Sequence, residues 1–355
     1  MRSRTIVGIR PILSAIVLVG AVASGAGAES FPWRAYAKKP DDWYRSAEGT
    51  RAAENVLSHQ AERGDWPKNL DTSAQPYTGE RAQLRGTFDN GATVGEMRFL
   101  ARAYVATGRT PYRDAFLKAL DHVLAAQYPN GGFPQSFPPG TSYARYITFN
   151  DNTMVNLLEL LRDVARSDGF TFVDRPRREA AGRAFEAGIA CILRCQIKVD
   201  GRLTVWCAQH DEKTLEPRGA RTFELPSLSG GESAGILGLL MSLDDPSPDV
   251  IRSVHAGARW FEASKLTGIR QVIVNGDKKI VPDRDAPPLW ARFYEIETNR
   301  PFFCGRDGVK KYDIAEIDPE RRNGYAWYGD WGSRVAAQYA EWKKKWGEGE
   351  GTPGR

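Results

Sequence analysis

The chain is 355 residues long with a formal net charge of +5; 26% of its residues are charged and 41% hydrophobic, and it has four cysteines and four histidines. That length supports one large domain or two small ones around a substantial core. So few cysteines exclude a disulfide-dense scaffold, and no CxxC, HExxH or Cys/His cluster marks a zinc site.

The first segment reads as an export signal. Arg2, Arg4 and Arg10 precede an apolar stretch at residues 12–23, and Ala26-Gly27-Ala28 supplies a small-x-small cleavage pattern. Cleavage is expected after Ala28, and the apolar run is too short to span about 30 Å of hydrocarbon comfortably. The product is therefore expected in the periplasm or the medium, with no membrane attachment. Three signal arginines account for most of the net charge, so 327 residues remain at about +2. Any preference for an anionic partner has to come from local clusters.

Internal repetition follows. Gly64-Asp65-Trp66-Pro67, Gly131-Gly132-Phe133-Pro134 and Gly201-Arg202 with Trp206 place a Gly-rich aromatic turn about every 70 residues. After each comes a second signal: Thr87-Phe88-Asp89-Asn90, Thr148-Phe149-Asn150-Asp151-Asn152, and Arg221-Thr222-Phe223-Glu224. Helical periodicity follows at Val94, Met97, Leu100 and Tyr104, then at Tyr112, Phe116, Leu120 and Val123 beyond a Gly-Arg-Thr-Pro turn. Residues 154–164 and 177–196 predict a second helix pair, and 231–243 and 248–264 a third. Helix hairpins too small to bury their own stripes must share a core. The predicted fold is therefore all-α, an (α/α) toroid of about three hairpins, with short irregular strands and long loops forming a substrate groove. An open α-solenoid is the alternative.

Beyond residue 268 the pattern changes. Residues 271–274 and 279–281 flank Asn275-Gly276, the signature of a β-hairpin with a type I′ turn. Residues 326–346 predict a closing helix, and 348–355 a polar tail, so 29–347 is expected to be one catalytic domain. Cys191 and Cys195 share a helix face; free thiols and one disulfide to Cys207 both stay open.

The candidate chemistry lies in two groups. Asp89-Asn90 and Asp151-Asn152 sit where helix N-caps belong, which alone would explain them. Brought together, the same residues offer hard oxygen ligands suited to calcium. The second group is cationic: Arg218 and Arg221, then Arg292, Arg300 and Arg306 among Trp290, Phe293, Tyr294, Phe302 and Phe303. Guanidinium groups hold carboxylates through paired hydrogen bonds, and aromatic rings stack on sugar faces. On these residues alone, a toroidal glycoside hydrolase using Asp89 and Asp151 as acid and base and a non-catalytic protein that binds an anionic saccharide both stay open. No basic run or base-stacking motif indicates a nucleic-acid partner.

Six segments, around Trp66-Pro67-Lys68-Asn69, Thr87-Phe88-Asp89-Asn90, Asn130-Gly131-Gly132-Phe133-Pro134-Gln135, Trp206-Cys207-Ala208-Gln209-His210-Asp211, and residues 147–153 and 221–229, together with residues 289–306, resemble those of polysaccharide lyase family 10 pectate lyases. The similarity runs from about residue 45 to 335. It implies β-elimination of polygalacturonate, giving 4,5-unsaturated oligogalacturonides, with Asp89, Asn90 and Asp151 at a catalytic Ca²⁺ and Arg221 as the base. It also implies that Arg292 and Arg306 bind substrate carboxylates. Lys68, Asn152 and Arg300 fall in motif segments and are carried as substrate-binding candidates. An arginine base implies an alkaline optimum, and the enzyme is expected to act as a monomer.

Overall fold

The computed structural model describes residues 30–347; the expected leader at residues 1–28 and the tail at 348–355 lie outside the described residues. Three helices open the described residues, α1 (Trp33–Tyr36), α2 (Asp41–Arg45) and α3 (Ala47–Ser58). The helical periodicities then give three pairs: α4 (Val94–Thr107) with α5 (Thr110–Ala126), α6 (Thr153–Arg166) with α7 (Arg175–Cys195), and α8 (Gly230–Met241) with α9 (Pro248–Ala263). Helices α10 (Pro319–Asn323) and α11 (Trp331–Trp346) close the described chain, and α11 packs on α8 and α9.

Local chemistry sets these boundaries. Gly108 ends α4 at φ 71, a left-handed conformation open to glycine, and Pro111 lies in the first turn of α5, so the chain reverses at once. Asp174 and Ser247 cap α7 and α9 by accepting from the backbone N–H groups of Arg177 and Val250. Helix α8 is apolar nearly all round, as a helix enclosed on every side must be. Ile236, Leu237, Leu239 and Leu240 are all buried, facing α6, α9 and α11. Each such side chain contributes about 1.5–3 kcal/mol through burial.

The repeat has a structural basis in its aromatic turns. Trp66 Nε1 donates to Val56 O at 2.7 Å, Trp206 Nε1 to Ile192 O at 2.7 Å, and Trp290 Nε1 to Phe261 O at 2.8 Å, each near the end of a helix. Gln60, Gln127 and Gln196 each follow a helix and donate through Nε2 to two carbonyls. One lies in the residue's own turn (Gly64, Gly131, Thr204) and one on a later helix (Ala115, Ala184, Ser253). These bonds tie each unit to the next.

Two expectations are corrected. The all-α toroid is not what forms: about half of the described residues are helical, but thirteen strands build five antiparallel sheets. Ile147–Thr148 pairs with Gln209–His210, which pairs with Pro217–Arg218; Phe293–Tyr294 lies between Leu228–Ser229 and Pro301–Cys304. Most of these strands have two residues, too few for an alternating pattern to register, so their loops read as irregular. The third repeat is also displaced. Thr87 N donates to Trp66 O and Trp66 N to Thr93 Oγ1; the matching bonds in the third unit are Ser229 N to Trp206 O and Trp206 N to Ser233 Oγ. The counterpart of Asp89–Thr93 is thus the stretch ending at Ser233, not Arg221–Glu224.

The hairpin at Ile269–Val274 and Asp277–Pro282 does form, with Asn275 at φ 53 and Gly276 at φ 78 as a type I′ turn requires. All four cysteines are buried free thiols.

Candidate active site

Two 3₁₀ turns, Asp89–Gly91 and Asn150–Asn152, precede α4 and α6 and lie against each other. In both, the second residue is left-handed, Asn90 at φ 55 and Asp151 at φ 50, and positive φ continues at Gly91 and Asn152. Such backbone costs a side-chain-bearing residue about 1–2 kcal/mol, and Asn and Asp tolerate it best. Their role is not capping: neither helix receives a side-chain cap from its N-cap residue, Thr93 or Asn152. Neighbouring loops suspend the turns instead. Phe88 N and Thr87 Oγ1 donate to Gln135 O at 2.9 and 2.8 Å, while Phe149 N and Asn150 N donate to Ala208 O at 2.9 and 3.0 Å.

Charge converges on these turns. The buried Asp89 accepts at Oδ2 from Lys68 Nζ and, at 2.6 Å, from Gln135 Nε2; Oδ1 accepts from Asn90 N at 3.1 Å. Asp151 Oδ2 accepts from Asn150 Nδ2 at 2.8 Å, and Oδ1 lies 3.5 Å from Arg292 Nη2. That nitrogen also pairs with Glu232 Oε1 from the first turn of α8, and Glu232 accepts from Ser229 Oγ. Burial pushes the Asp151 carboxyl above its ordinary range, the Glu232 and Asp89 charges add to this, and Arg292 opposes it. Three carboxylates therefore face two cations.

That excess of negative charge, in a surround of amide oxygens, tests well for a hard divalent cation. Asp89, Asp151 and the amides of Asn90 and Asn152 are the oxygen donors calcium takes, with no thiol or imidazole among them. Among the described residues no group of three or more His, Cys, Asp or Glu is placed to hold a metal ion. Two carboxylates and amides would thus need oxygens from water or substrate to complete a shell.

A second cluster adjoins the first. Arg221 grips Glu224 in a bidentate pair, Nε donating to Oε2 at 2.7 Å and Nη2 to Oε1. Tyr325 Oη donates to Glu224 Oε1 at 2.8 Å, and its ring lies 4.7 Å from the Arg292 guanidinium and 5.7 Å from that of Arg221. The Glu224 pair raises the Arg221 pKa against its partial burial. Phe223 lies under three guanidinium groups, those of Arg221 at 4.8 Å, Arg321 at 4.6 Å and Arg306 at 5.9 Å.

Of the residues expected from sequence, Lys68, Asp89, Asn90, Asp151, Asn152 and Arg292 meet at the paired turns. Asn152 fits there because Gly235 lacks a Cβ, which would lie 1.9 Å from Asn152 Oδ1. Arg221 joins through Glu224 and Tyr325. Arg306 is exposed, paired with Glu320 at 3.0 and 3.1 Å. Arg300 stands apart, stacked on Tyr312 at 3.5 Å. Sequence reasoning missed Glu232, Gln135, Arg321 and Tyr325. For Glu232 a signal existed in the third repeat, had its register been set on Ser233.

The family model described as pectic acid lyase matches residues 60–336. The family 10 polysaccharide lyase from Cellvibrio cellulosa is 39% identical, with a TM-score of 0.76, over 85% of this chain and 97% of its own. An Asp-to-Ala mutant of a family 10 polysaccharide lyase from the same organism, in complex with trigalacturonic acid, is 36% identical, with a TM-score of 0.77, over 87% of this chain and 97% of its own. Among curated proteins nothing matches.

Proposed function

Because the chain belongs to the pectic acid lyase family and is a pectate lyase, we propose that it cleaves polygalacturonate by calcium-assisted β-elimination. The observation that carries this is the meeting of Asp89, Asp151, Lys68 and Arg292 at two turns about 60 residues apart in sequence, next to the Arg221–Glu224 pair. The trigalacturonic acid bound by the Cellvibrio cellulosa relative has the same chemistry as the substrate proposed here.

Elimination removes the C5 proton, forms a C4–C5 double bond and breaks the C4–O bond, leaving a 4,5-unsaturated residue and consuming no water. Negative charge grows on the C6 carboxylate as the proton leaves, so fixed positive charge must await it. Bound calcium, held by Asp89, Asn90 and Asp151, would withdraw that charge and acidify the C5 proton. Arg292 approaches from the floor of the site, where Glu232 and Asn150 hold it in place. Arg306 and Arg300 present exposed guanidinium groups to more distant carboxylates, and Lys68 and Asn152 contact the chain near the turns.

Arg221 takes the C5 proton in this reading. Glu224 fixes the guanidinium through Nε and Nη2, leaving Nη1 outside the pair. The same pair keeps Arg221 protonated, so at pH about 9.5 fewer than about one molecule in 1,000 carries the neutral base. Activity then climbs with pH through the alkaline range. A single catalytic domain at 29–347, export after removal of residues 1–28 and action as a monomer complete the proposal. No helix among the described residues is long and apolar enough to cross a membrane, and the family match lies within that domain.

The test is calorimetric. Calcium should bind the purified protein, and Asp89→Asn and Asp151→Asn should each abolish that heat and lower turnover of polygalacturonate at least about 100-fold. Unchanged calcium binding in both variants would remove these residues from the proposed site.

A further inference from the structure

A cavity of about 940 Å³ leads away from the paired turns. It shares Asn90 and Asp151 with them and is walled on its far side by Trp33 and Arg34, with Asn156 and Glu159 of α6 on its lining. That far wall precedes residue 60, where the family match begins.

The wall is firmly seated. The Phe31 ring lies 5.5 Å from Phe99 of α4 and 5.5 Å from Tyr36. Gly95, inside α4, makes room for the segment: a Cβ there would lie 3.2 Å from Phe31 Cδ1 and 3.4 Å from Trp33 Cβ.

The polar groups lining the cavity are only partly committed. Arg98 is held by Asp163 at 2.7 Å. Among the described residues, Arg34 is exposed with no hydrogen bond or ion pair, and Glu159 accepts no hydrogen bond. Burial pushes the Glu159 carboxyl up, against Arg98, Arg162 and Arg34. An uncommitted guanidinium, an uncommitted carboxyl, several amides and a tryptophan form a lining that suits a sugar carrying one carboxylate. A metal site would need carboxylates in place of the arginine and indole.

We propose that this cavity is a further saccharide-binding site, seating a uronate residue of the polygalacturonate chain beyond those held at Asp89, Asp151 and Arg292. Arg34 takes its carboxylate, Asn152, Asn156 and Glu159 its hydroxyls, and Trp33 packs against the ring. This rests on the proposed lyase reading, and it makes the N-terminal segment a determinant of preference for chain length.

The test compares a trimer and an octamer of galacturonic acid on wild type, Arg34→Ala and Arg34→Glu. Arg34 is exposed, so these variants should fold; Trp33→Ala is the second probe. The ratio of kcat/KM on octamer to that on trimer should fall about tenfold in Arg34→Ala and further in Arg34→Glu, with the change in KM. An unchanged ratio in all three variants would overturn the site. Calorimetric titration of the octamer reads the same difference without turnover. If wild type turns over neither oligomer, the lyase reading fails separately, while tighter octamer binding by wild type than by Arg34→Glu still upholds the site and equal binding removes it.

Discussion

Glu96 links the site to pH. It lies on α4, buried at 1% exposure, where Oε1 accepts from Thr72 Oγ1 at 3.1 Å and Oε2 has no partner. Thr72 belongs to the loop that carries Lys68 and Asn69 to the site. Burial holds the Glu96 pKa up to about 8, against 4.5 for the free side chain. Between those values the unfolded chain has released the proton while the folded protein keeps it, so stability falls as pH rises from about 4.5 and levels off above about 8. At about 1.4 kcal/mol for each pKa unit, the ceiling on that loss is about 5 kcal/mol. The alkaline range proposed for catalysis is therefore where this residue destabilises the fold most. Urea unfolding of wild type and Glu96→Gln, followed by tryptophan fluorescence from pH 5 to 9, measures the difference. The variant should gain on wild type steadily as pH rises, most of it between pH 5 and 8. Parallel curves across that range would refute the assignment of a retained proton to Glu96.

Other perturbations have distinct signatures. Glu232→Ala strips the buried Arg292 of its closest partner and leaves Asp151 at 3.5 Å as its remaining carboxylate, beside Asn150 Oδ1 at 3.4 Å; a loss of about 3 kcal/mol is expected in urea unfolding. Gly131→Ala combines φ +87 with a Cβ 2.1 Å from Ala187 O, and should cost about 3 kcal/mol or fail to accumulate as folded protein, as judged by circular dichroism. Arg221→Lys keeps a positive charge but loses the bidentate grip on Glu224. Its kcat should fall about 1,000-fold with little change in KM in steady-state kinetics on polygalacturonate.

How much of this was legible varied with the length of the signal. The helix pairs from α4 to α9 were readable because each carries several turns of periodic apolar residues, and Asn275-Gly276 announced its hairpin through a backbone demand few residues meet. Asp89-Asn90 and Asp151-Asn152 stood out as repeated acid–amide pairs, although composition could not separate capping from a site; in the structure neither helix receives a side-chain cap from its N-cap residue. Strand pairing was hidden because Ile147–Thr148 meets Gln209–His210 across some 60 residues through only two residues on each side. Tyr325 and Arg321 were hidden for another reason: their place over Phe223 and beside Glu224 depends on the path of an irregular C-terminal segment that no local pattern specifies. The resemblance read from the motifs, by contrast, agrees with the family match over residues 60–336.

The central claim is elimination, and the most direct measurement is ultraviolet absorbance of polygalacturonate incubated with the purified protein and calcium at alkaline pH, with a chelator control. The account predicts absorbance that rises as 4,5-unsaturated ends form and stops when the chelator is added. New reducing ends with no rise in absorbance would mean hydrolysis and contradict it, and a rise indifferent to the chelator would remove calcium from the mechanism.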